Sequence, residues 1–397
     1  MLTRLLGFQS GETFGQILAR NRGIGPGFDI LRVLLAVAIF VGHTRWIAGG
    51  DSLVAAFANV GDVTPATAII SDPATTAPHG WHGATKGIKL AMVPAFFALS
   101  GFLVSGSAFR LKSTSTFLAH RSLRIFPALA VEVALSAFLL GPLLTTLPLS
   151  QYFADPALRH YLGNAAGFVT FVLPGVFEAN PVPHIVNANL WTLPGEFYCY
   201  LIAGAALATR ILYNRTLFTI AVGLMTVVLA AMHFQLGNSV TGGPFPTHVI
   251  VYYFFVGMLF YHWRDRIPAR PWIFAISVVV TYATLSIDSL IYIAPLFVTY
   301  ATIFVGMIAF PKSRLLSSGD YSYGVYLYGF PIAQALVAVF PWFEGQPWSL
   351  VVVAGALTIA FAAASWHLIE KHALRQKKRL PARYFPTGTA RSATAEA

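Results

Sequence analysis

Arg32 and His43 lie eleven residues apart within one apolar stretch. On an α-helix that separation is just over three turns, so both side chains fall on nearly the same face, about 16 Å apart along the axis. An ionisable side chain in hydrocarbon costs about 2.5–3.5 kcal/mol even on the lenient insertion scale, so each needs a reason to be there. The arginine offers a fixed cation for an anionic donor. The imidazole offers a base that takes a proton near neutral pH. A packing role would use the same two residues, as a snorkelling arginine and an interhelical histidine.

Further polar groups fall in other apolar stretches. Ser100-Gly101 sits in the middle of one, where a glycine admits another backbone or a ligand, so helix packing and a substrate-lining role are both open. Arg121 and Arg124, three residues apart, share a helical face. Two guanidinium groups so placed suit the phosphates of coenzyme A, and they equally suit anchoring at a membrane surface. Glu196 follows Trp191-Thr192-Leu-Pro194-Gly195, a pair expected to loosen the helix and free backbone groups beside a buried carboxylate. Glu196 could pair with His43 or Arg32, or bind a sugar hydroxyl. Ser322, Tyr323, Tyr326 and Tyr328 form a polar stripe at helical spacing, and Tyr326 and Tyr328 lie deeper than an interfacial belt would. Glu132 and His367 are read as packing or interface residues. His79 and His82 have i, i+3 spacing without a nearby carboxylate, so no metal site is expected.

The elements that must position these groups are membrane-spanning helices. The chain has 397 residues, 56% hydrophobic and 10% charged, against roughly 25% charged in soluble domains. Its apolar residues come in blocks of about 20, the length that crosses a bilayer as a helix. We expect an all-α polytopic bundle of about ten transmembrane helices, near Phe28–Ile47, Lys89–Arg110, Arg121–Thr145, Asn187–Arg210, Thr216–Gln235, Thr247–Trp263, Pro271–Ile287, Ser289–Phe310, Tyr321–Pro341 and Trp348–Glu370. The seventh and eighth would meet in a tight hairpin at Asp288, and an amphipathic or re-entrant piece is expected near Tyr161–Val176. With both termini cytoplasmic, 21 of the 26 Lys and Arg fall on inside segments, four outside, and Arg32 within the membrane. That bias supports both count and direction.

The organisation that follows is a cytoplasmic N-terminal segment over 1–27, a transmembrane domain over 28–370 and a basic, disordered cytoplasmic tail over 371–397. The first apolar run lacks a small-residue cleavage site, so it is expected to remain as an anchor. The outer stretches Ala48–Gly87 and Pro148–Val186 are long enough to form a lid over an external acceptor. The net charge of +11 reads as basic inner loops facing membrane lipids, with no nucleic acid as partner. The single cysteine, Cys199, excludes an internal disulfide and a cysteine zinc site.

In order along the chain, these segments resemble the acyltransferase 3 family of ten-span membrane O-acyltransferases. Arg32 followed by ten residues and His43 matches its first-span signature. Phe96-Phe97-Ala-Leu-Ser100-Gly101-Phe-Leu is similar to its second-span motif, and Arg121-Ser-Leu-Arg124-Ile-Phe-Pro127 to its basic loop. Leu190-Trp191-Thr192-Leu-Pro-Gly-Glu196-Phe resembles its tryptophan–glutamate segment. Ser322-Tyr323-Gly-Val-Tyr326-Leu-Tyr-Gly-Phe-Pro331 resembles its late motif, and Ile369-Glu370 its closing one. Many members carry a histidine where this chain has Gly329 and a proline where it has His372.

The resemblance implies an O-acyltransferase of the bacterial inner (plasma) membrane. Its donor would be a cytoplasmic acyl-CoA, usually acetyl-CoA. Its acceptor would be a hydroxyl of a surface or exported polysaccharide, a lipopolysaccharide unit or a macrolide-like small molecule. It assigns catalysis to His43, joined by Glu196, and donor handling to Arg32, Arg121 and Arg124. Ser100, Trp191 and Tyr326 fall to the substrate, and no metal is implied. On this reading coenzyme A docks at the inner mouth, its thiol arm runs along the first span, and His43 deprotonates the acceptor hydroxyl directly or takes part in an acyl-histidine relay. A transporter of a sugar or lipid-linked substrate would explain the same span count and polar lining, although the halves show no persuasive internal repeat. A membrane assembly protein without catalysis would tolerate substitution of Arg32 and His43.

Overall fold

A computed structural model describes residues 8, 11–49, 81–236, 246–287, 290–310 and 319–379. Among these residues the chain is helical, with two isolated β-bridges, Thr13 to Pro268 and Thr145 to Val176, and no strand. The helices are α1 (Phe14–Arg20), α2 (Phe28–Ile47), α3 (Trp81–Leu111), α4 (Thr114–Leu135), α5 (Leu149–Ala154), α6 (Pro156–Leu162), α7 (Leu193–Ala208), α8 (Arg215–Leu236), α9 (Thr247–Trp263), α10 (Pro271–Ser286), α11 (Ala294–Met307), α12 (Ser322–Val339), α13 (Pro347–Ser365) and α14 (Lys371–Arg375). π turns prolong α4 over Ser136–Leu140 and α13 over Trp366–Glu370.

Every segment expected to span contains a helix. Six helical stretches are long and apolar enough to cross a membrane by length and composition: Phe28–Ile47, Leu90–Leu111, Thr114–Leu144, Arg215–Gln235, Ser322–Val339 and Pro347–Arg375. The other four segments carry shorter helices: α9 fills its segment at 17 residues, α10 stops one residue before Ile287, and in the remaining two the ends take other conformations. Ala188–Thr192, for example, is a 3-10 turn ahead of α7. The apolar character points outward as well as inward. On α8, Leu217, Ile220, Leu224, Val227, Val228 and Met232 are all exposed, a face that suits hydrocarbon rather than water.

The tail expected from Lys371 onward is helical as far as Arg379, through α14 and a 3-10 turn over Gln376–Arg379. The remainder of the tail, the hairpin tip at Asp288 and most of the first outer stretch, with His79 and the side chain of His82, lie outside the described residues. The piece near Tyr161–Val176 is the end of α6, a 3-10 turn over Gly163–Ala166 and irregular chain.

The bundle is held at its centre by α3 against α9, an approach set by two glycines. A Cβ on Gly101 would lie 1.9 Å from the Phe254 carbonyl oxygen, and one on Gly257 would lie 2.0 Å from that of Ala98. Between helices in a membrane, where lipid offers no hydrophobic driving force, such backbone contact is a main source of cohesion. The obstructing atoms are backbone, so they cannot swing aside. Gly101→Ala and Gly257→Ala are each expected to destabilise the protein by at least about 1–3 kcal/mol. Gly223→Ala, on α8 where nothing lies within 4 Å, should leave thermal unfolding in detergent unchanged. Equal melting of all three variants would contradict this account of the contact.

Candidate active site

A cavity of about 420 Å³ opens among α2, α3, α4, α7 and α12. It follows α3 from Arg110 through Ser107 and Ser100 to Phe96 and Val93, about 26 Å of helix rise. The polar residues of five sequence motifs meet on its walls: Arg32, Ser100, Arg121, Arg124, Glu196 and Tyr326.

Cations dominate one end. Arg32 Nη1 lies 2.9 Å from Asp320 Oδ2, and Arg124 Nη2 lies 2.6 Å from the same oxygen. Arg124 Nη1 also meets Glu370 Oε2 at 3.2 Å. Two hydroxyls complete the cluster: Ser322 Oγ donates to Asp320 Oδ1 at 2.6 Å, and Ser365 Oγ to Glu370 Oε1 at 3.1 Å. One aspartate thus ties α2 to α4, and Arg124 ties both to the end of α13. Burial raises the Asp320 carboxyl pKa, but the Arg124 and Arg32 guanidinium groups outweigh burial and bring it down to about 2. Arg121 is held differently. Its Nη2 donates to Ser107 Oγ at 3.2 Å, and its guanidinium lies 5.9 Å from the ring centres of both Phe117 and Tyr200. Arg121 and Arg124, equivalent in the sequence, therefore have unlike environments.

The other end is uncharged save for one carboxylate. Pro194 stands in the first turn of α7, where the missing N–H costs nothing. The Pro194-Gly195 pair is therefore a helix start rather than the break expected within a longer span. It brings Glu196 into that first turn, where the helix dipole favours an anion. Glu196 Oε1 accepts from the Tyr200 hydroxyl at 2.5 Å and makes no ion pair with Arg32 or His43. Thr192 Oγ1 lies 2.5 Å from the Tyr326 hydroxyl, which donates to the Asn189 carbonyl.

His43 is not on the cavity wall. Ile39, one helical turn earlier on α2, lines the cavity. Beyond it α12 covers this end of α2. A side chain at Gly329 would meet Phe40, since its Cβ would lie 2.7 Å from Cδ2, so the glycine lets the helices close. Phe330 then sets its ring edge against His43 at a centroid distance of 5.6 Å, with Trp46 at 6.5 Å. The eleven-residue spacing puts Arg32 and His43 on one face of α2, but two partners cover that face. His43 Nδ1 is buried and has no hydrogen-bond partner. Trp191, also expected to meet substrate, is buried in the main apolar core and does not line the cavity.

Three contributors went unassigned from the sequence. Glu370 stood within a quoted motif without a role and Asp320 lies two residues before another, although two arginines in one cavity call for acidic partners. Lys377 belongs to the expected tail, yet it lines the cavity mouth. Burial, and then the charges of Arg121 and Arg124, bring its pKa down to about 8. Among the described residues no group of three His, Cys, Asp or Glu is placed to hold a metal.

Residues 26–367 match the family model described as an acyltransferase domain. The chain is 30% identical over 290 residues to a protein of Shigella phage Sf6 named "O-acetyl transferase", covering 70% of this chain and 83% of the phage protein. It is 28% identical over 395 residues to "Nodulation protein 10" of Rhizobium leguminosarum bv. viciae, covering 91% of this chain and 97% of that one. No solved structure matches.

Proposed function

This chain belongs to the acyltransferase 3 family, and from that premise we propose that it moves an acetyl group from cytoplasmic acetyl-CoA to a hydroxyl of a surface or exported glycan. That it is a membrane acyltransferase rests on the family and on its apolar helices. The donor, the acceptor and the roles of individual residues are our reading. So are ten spans with both termini in the cytoplasm, the boundaries 1–27, 28–370 and 371–397, and the bacterial inner membrane.

The observation that carries this reading is the polarity of the cavity. Its Arg110–Lys377 end is cationic and suits a nucleotide's phosphates. Its Ser100–Tyr326 end offers hydroxyls and one carboxylate, and suits a thioester and an alcohol. The cationic end belongs to the segments richest in Lys and Arg, which the positive-inside rule assigns to the cytoplasm.

In this mechanism the donor enters at Arg121 and Lys377, and its thiol arm lies along α2 and α3 toward Ile39. His43, one turn farther out, takes the proton of the acceptor hydroxyl as its oxygen attacks the thioester carbonyl. The C–S bond breaks, the ester forms, and the thiolate of coenzyme A leaves with a proton from the imidazolium. Approach of the acceptor requires the Phe330 and Trp46 rings to move off His43. The free Nδ1 favours a functional histidine, since a buried nitrogen without a partner costs about 1–3 kcal/mol.

Purified protein in lipid vesicles, supplied with acetyl-labelled acetyl-CoA on the Lys/Arg-rich side and glycan on the other, should release free coenzyme A and label the glycan. Passage of sugar or lipid across the vesicle wall with no ester formed would instead make the chain a transporter.

A further inference from the structure

A second cavity, of about 460 Å³, is a groove between α4 and α12. It runs from Glu132 to Leu144 along α4 and its prolongation, and from Tyr328 to Val339 along α12. Either path rises about 16–18 Å, just over half of a hydrocarbon core about 30 Å thick. Asp320 joins the early turns of α2, α4 and α12 through Arg32 and Arg124, so Leu144 and Val339 lie toward the same membrane surface as His43. The groove is thus as deep as one leaflet, the one on the His43 side. Its rim residues Leu139, Leu143, Val339 and Phe361 are exposed, so it opens to hydrocarbon.

The π turn over Ser136–Leu140 shapes the α4 wall. Such turns are rare and fall mostly at functional sites. Tyr152 fixes this one from behind. Its hydroxyl donates to the Ala137 carbonyl at 2.7 Å, and Gly141 admits it, since a Cβ there would lie 1.9 Å from the same hydroxyl. Glu132 closes the deep end of the groove. Its Oε1 accepts from Ser136 Oγ and Asn187 Nδ2 at 3.0 and 2.9 Å, and its Oε2 is buried without a hydrogen-bond partner. Asn187 Nδ2 also donates to the Leu327 carbonyl at 2.9 Å, which makes the floor a polar bridge between the two walls. Water let into the groove would compete for these hydrogen bonds, and a hydrocarbon chain would exclude it.

We propose that this groove seats one acyl chain of a phospholipid from the leaflet on the His43 side. A volume of about 460 Å³ spread over about 17 Å leaves a cross-section of about 27 Å², about a third of that of a helix 10 Å across. A single chain enters it, and a helix of a neighbouring protein does not. Left empty, the groove would cost its walls their van der Waals contacts, and lipid is what surrounds it. The phospholipid head stays at the membrane surface beyond Leu144 and Val339. Tyr328, Pro331, Ile332, Ala335 and Val339 line the groove from one face of α12, and Phe330 meets His43 from the opposite face. The seated chain therefore backs the helix whose Phe330 must move for transfer. The site itself rests on the membrane reading alone, and this last consequence on the proposed role of His43.

The test places the full chain in vesicles of phosphatidylethanolamine and phosphatidylglycerol. A small share of the phosphatidylethanolamine carries a photoreactive diazirine midway along one acyl chain. After irradiation, mass spectrometry of peptides should find the label denser on Leu139, Ile332 and Ala335 than on Leu224 and Val227, which lie on the exposed α8 face. Ala335→Phe fills the groove from α12 and Leu139→Trp fills it from α4. In each variant that keeps the thermal midpoint of the wild type, label in the groove should fall by more than half while label on α8 holds steady. Label no denser in the groove than on α8, or undiminished in both variants, would overturn the proposal. So would a groove that takes label only when the protein is diluted in the membrane, since a second copy of the chain would then be its occupant.

Discussion

Replacing His43 with phenylalanine is expected to lower acyl transfer by roughly 10²–10⁴-fold, the contribution of a positioned general base. Phenylalanine keeps an aromatic ring against Phe330 and Trp46 and removes the nitrogens. His43→Ala, by contrast, would also leave a void beside Phe330, and so would mix a packing loss with a chemical one. Transfer should be measured in membranes, with protein amount and thermal midpoint measured alongside. Full transfer by the phenylalanine variant would end the proposed role for His43, and the cavity would then need a base from among its own lining residues. Glu196 is the first of those, because its Oε1 already takes a hydrogen bond from Tyr200 and it faces the same cavity.

Asp320→Asn should be the most damaging change among the ion pairs. It leaves Arg32 without its carboxylate and Arg124 with Glu370 alone. Breaking a buried pair by removing one partner costs about 3–5 kcal/mol. The Asp320 side chain is 28% exposed, which lowers this to about 2–3 kcal/mol after solvent screening. The sign of the pH dependence follows from its carboxyl pKa, lowered from 3.8 to about 2. The stabilisation is complete above the unfolded value. It is lost as acid takes the pH down through about 2, and amounts to about 2 kcal/mol. Thermal midpoints of wild type and Asp320→Asn should therefore differ by a constant amount from neutrality down to a pH of about 4, and converge below that. Identical midpoints at neutral pH would remove Asp320 from the centre of the arrangement.

What the sequence made legible depended on distance along the chain. The ends of α2 and α9 coincide with the apolar stretches Phe28–Ile47 and Thr247–Trp263, because a uniform run of apolar residues carries its own limits. Motif residues could be gathered into one site without coordinates, and six of the eight line the same cavity. Partnerships across the bundle could not be read. Arg124 and Asp320 are 196 residues apart, and Arg124 and Glu370 246 apart, and nothing in the local pattern joins them. For the same reason Arg121 and Arg124 looked interchangeable. Periodicity put His43 on the right face of α2, but it could not reveal that Gly329 brings α12 close enough to set Phe330 over that face. Pro194 misled because a proline reads alike at a break and at a start, and only the 3-10 turn before it decides between them.

The stretch leading into α7 is fastened to α12 at successive levels. Asn180 Nδ2 donates to Gln334 Oε1 at 2.9 Å, and Gln334 Nε2 to the Val182 and Ile185 carbonyls at 2.8 and 2.7 Å. Deeper in, Asn187 Nδ2 reaches the Leu327 carbonyl at 2.9 Å and Asn189 Nδ2 that of Tyr326 at 2.5 Å. These two parts, more than 130 positions apart in the chain, therefore constitute one module. Anyone grafting the corresponding stretch of a relative onto this scaffold would have to transplant α12 with it. A graft that leaves Gln334 facing a foreign partner would strand a buried amide and lose the protein before its selectivity could be tested.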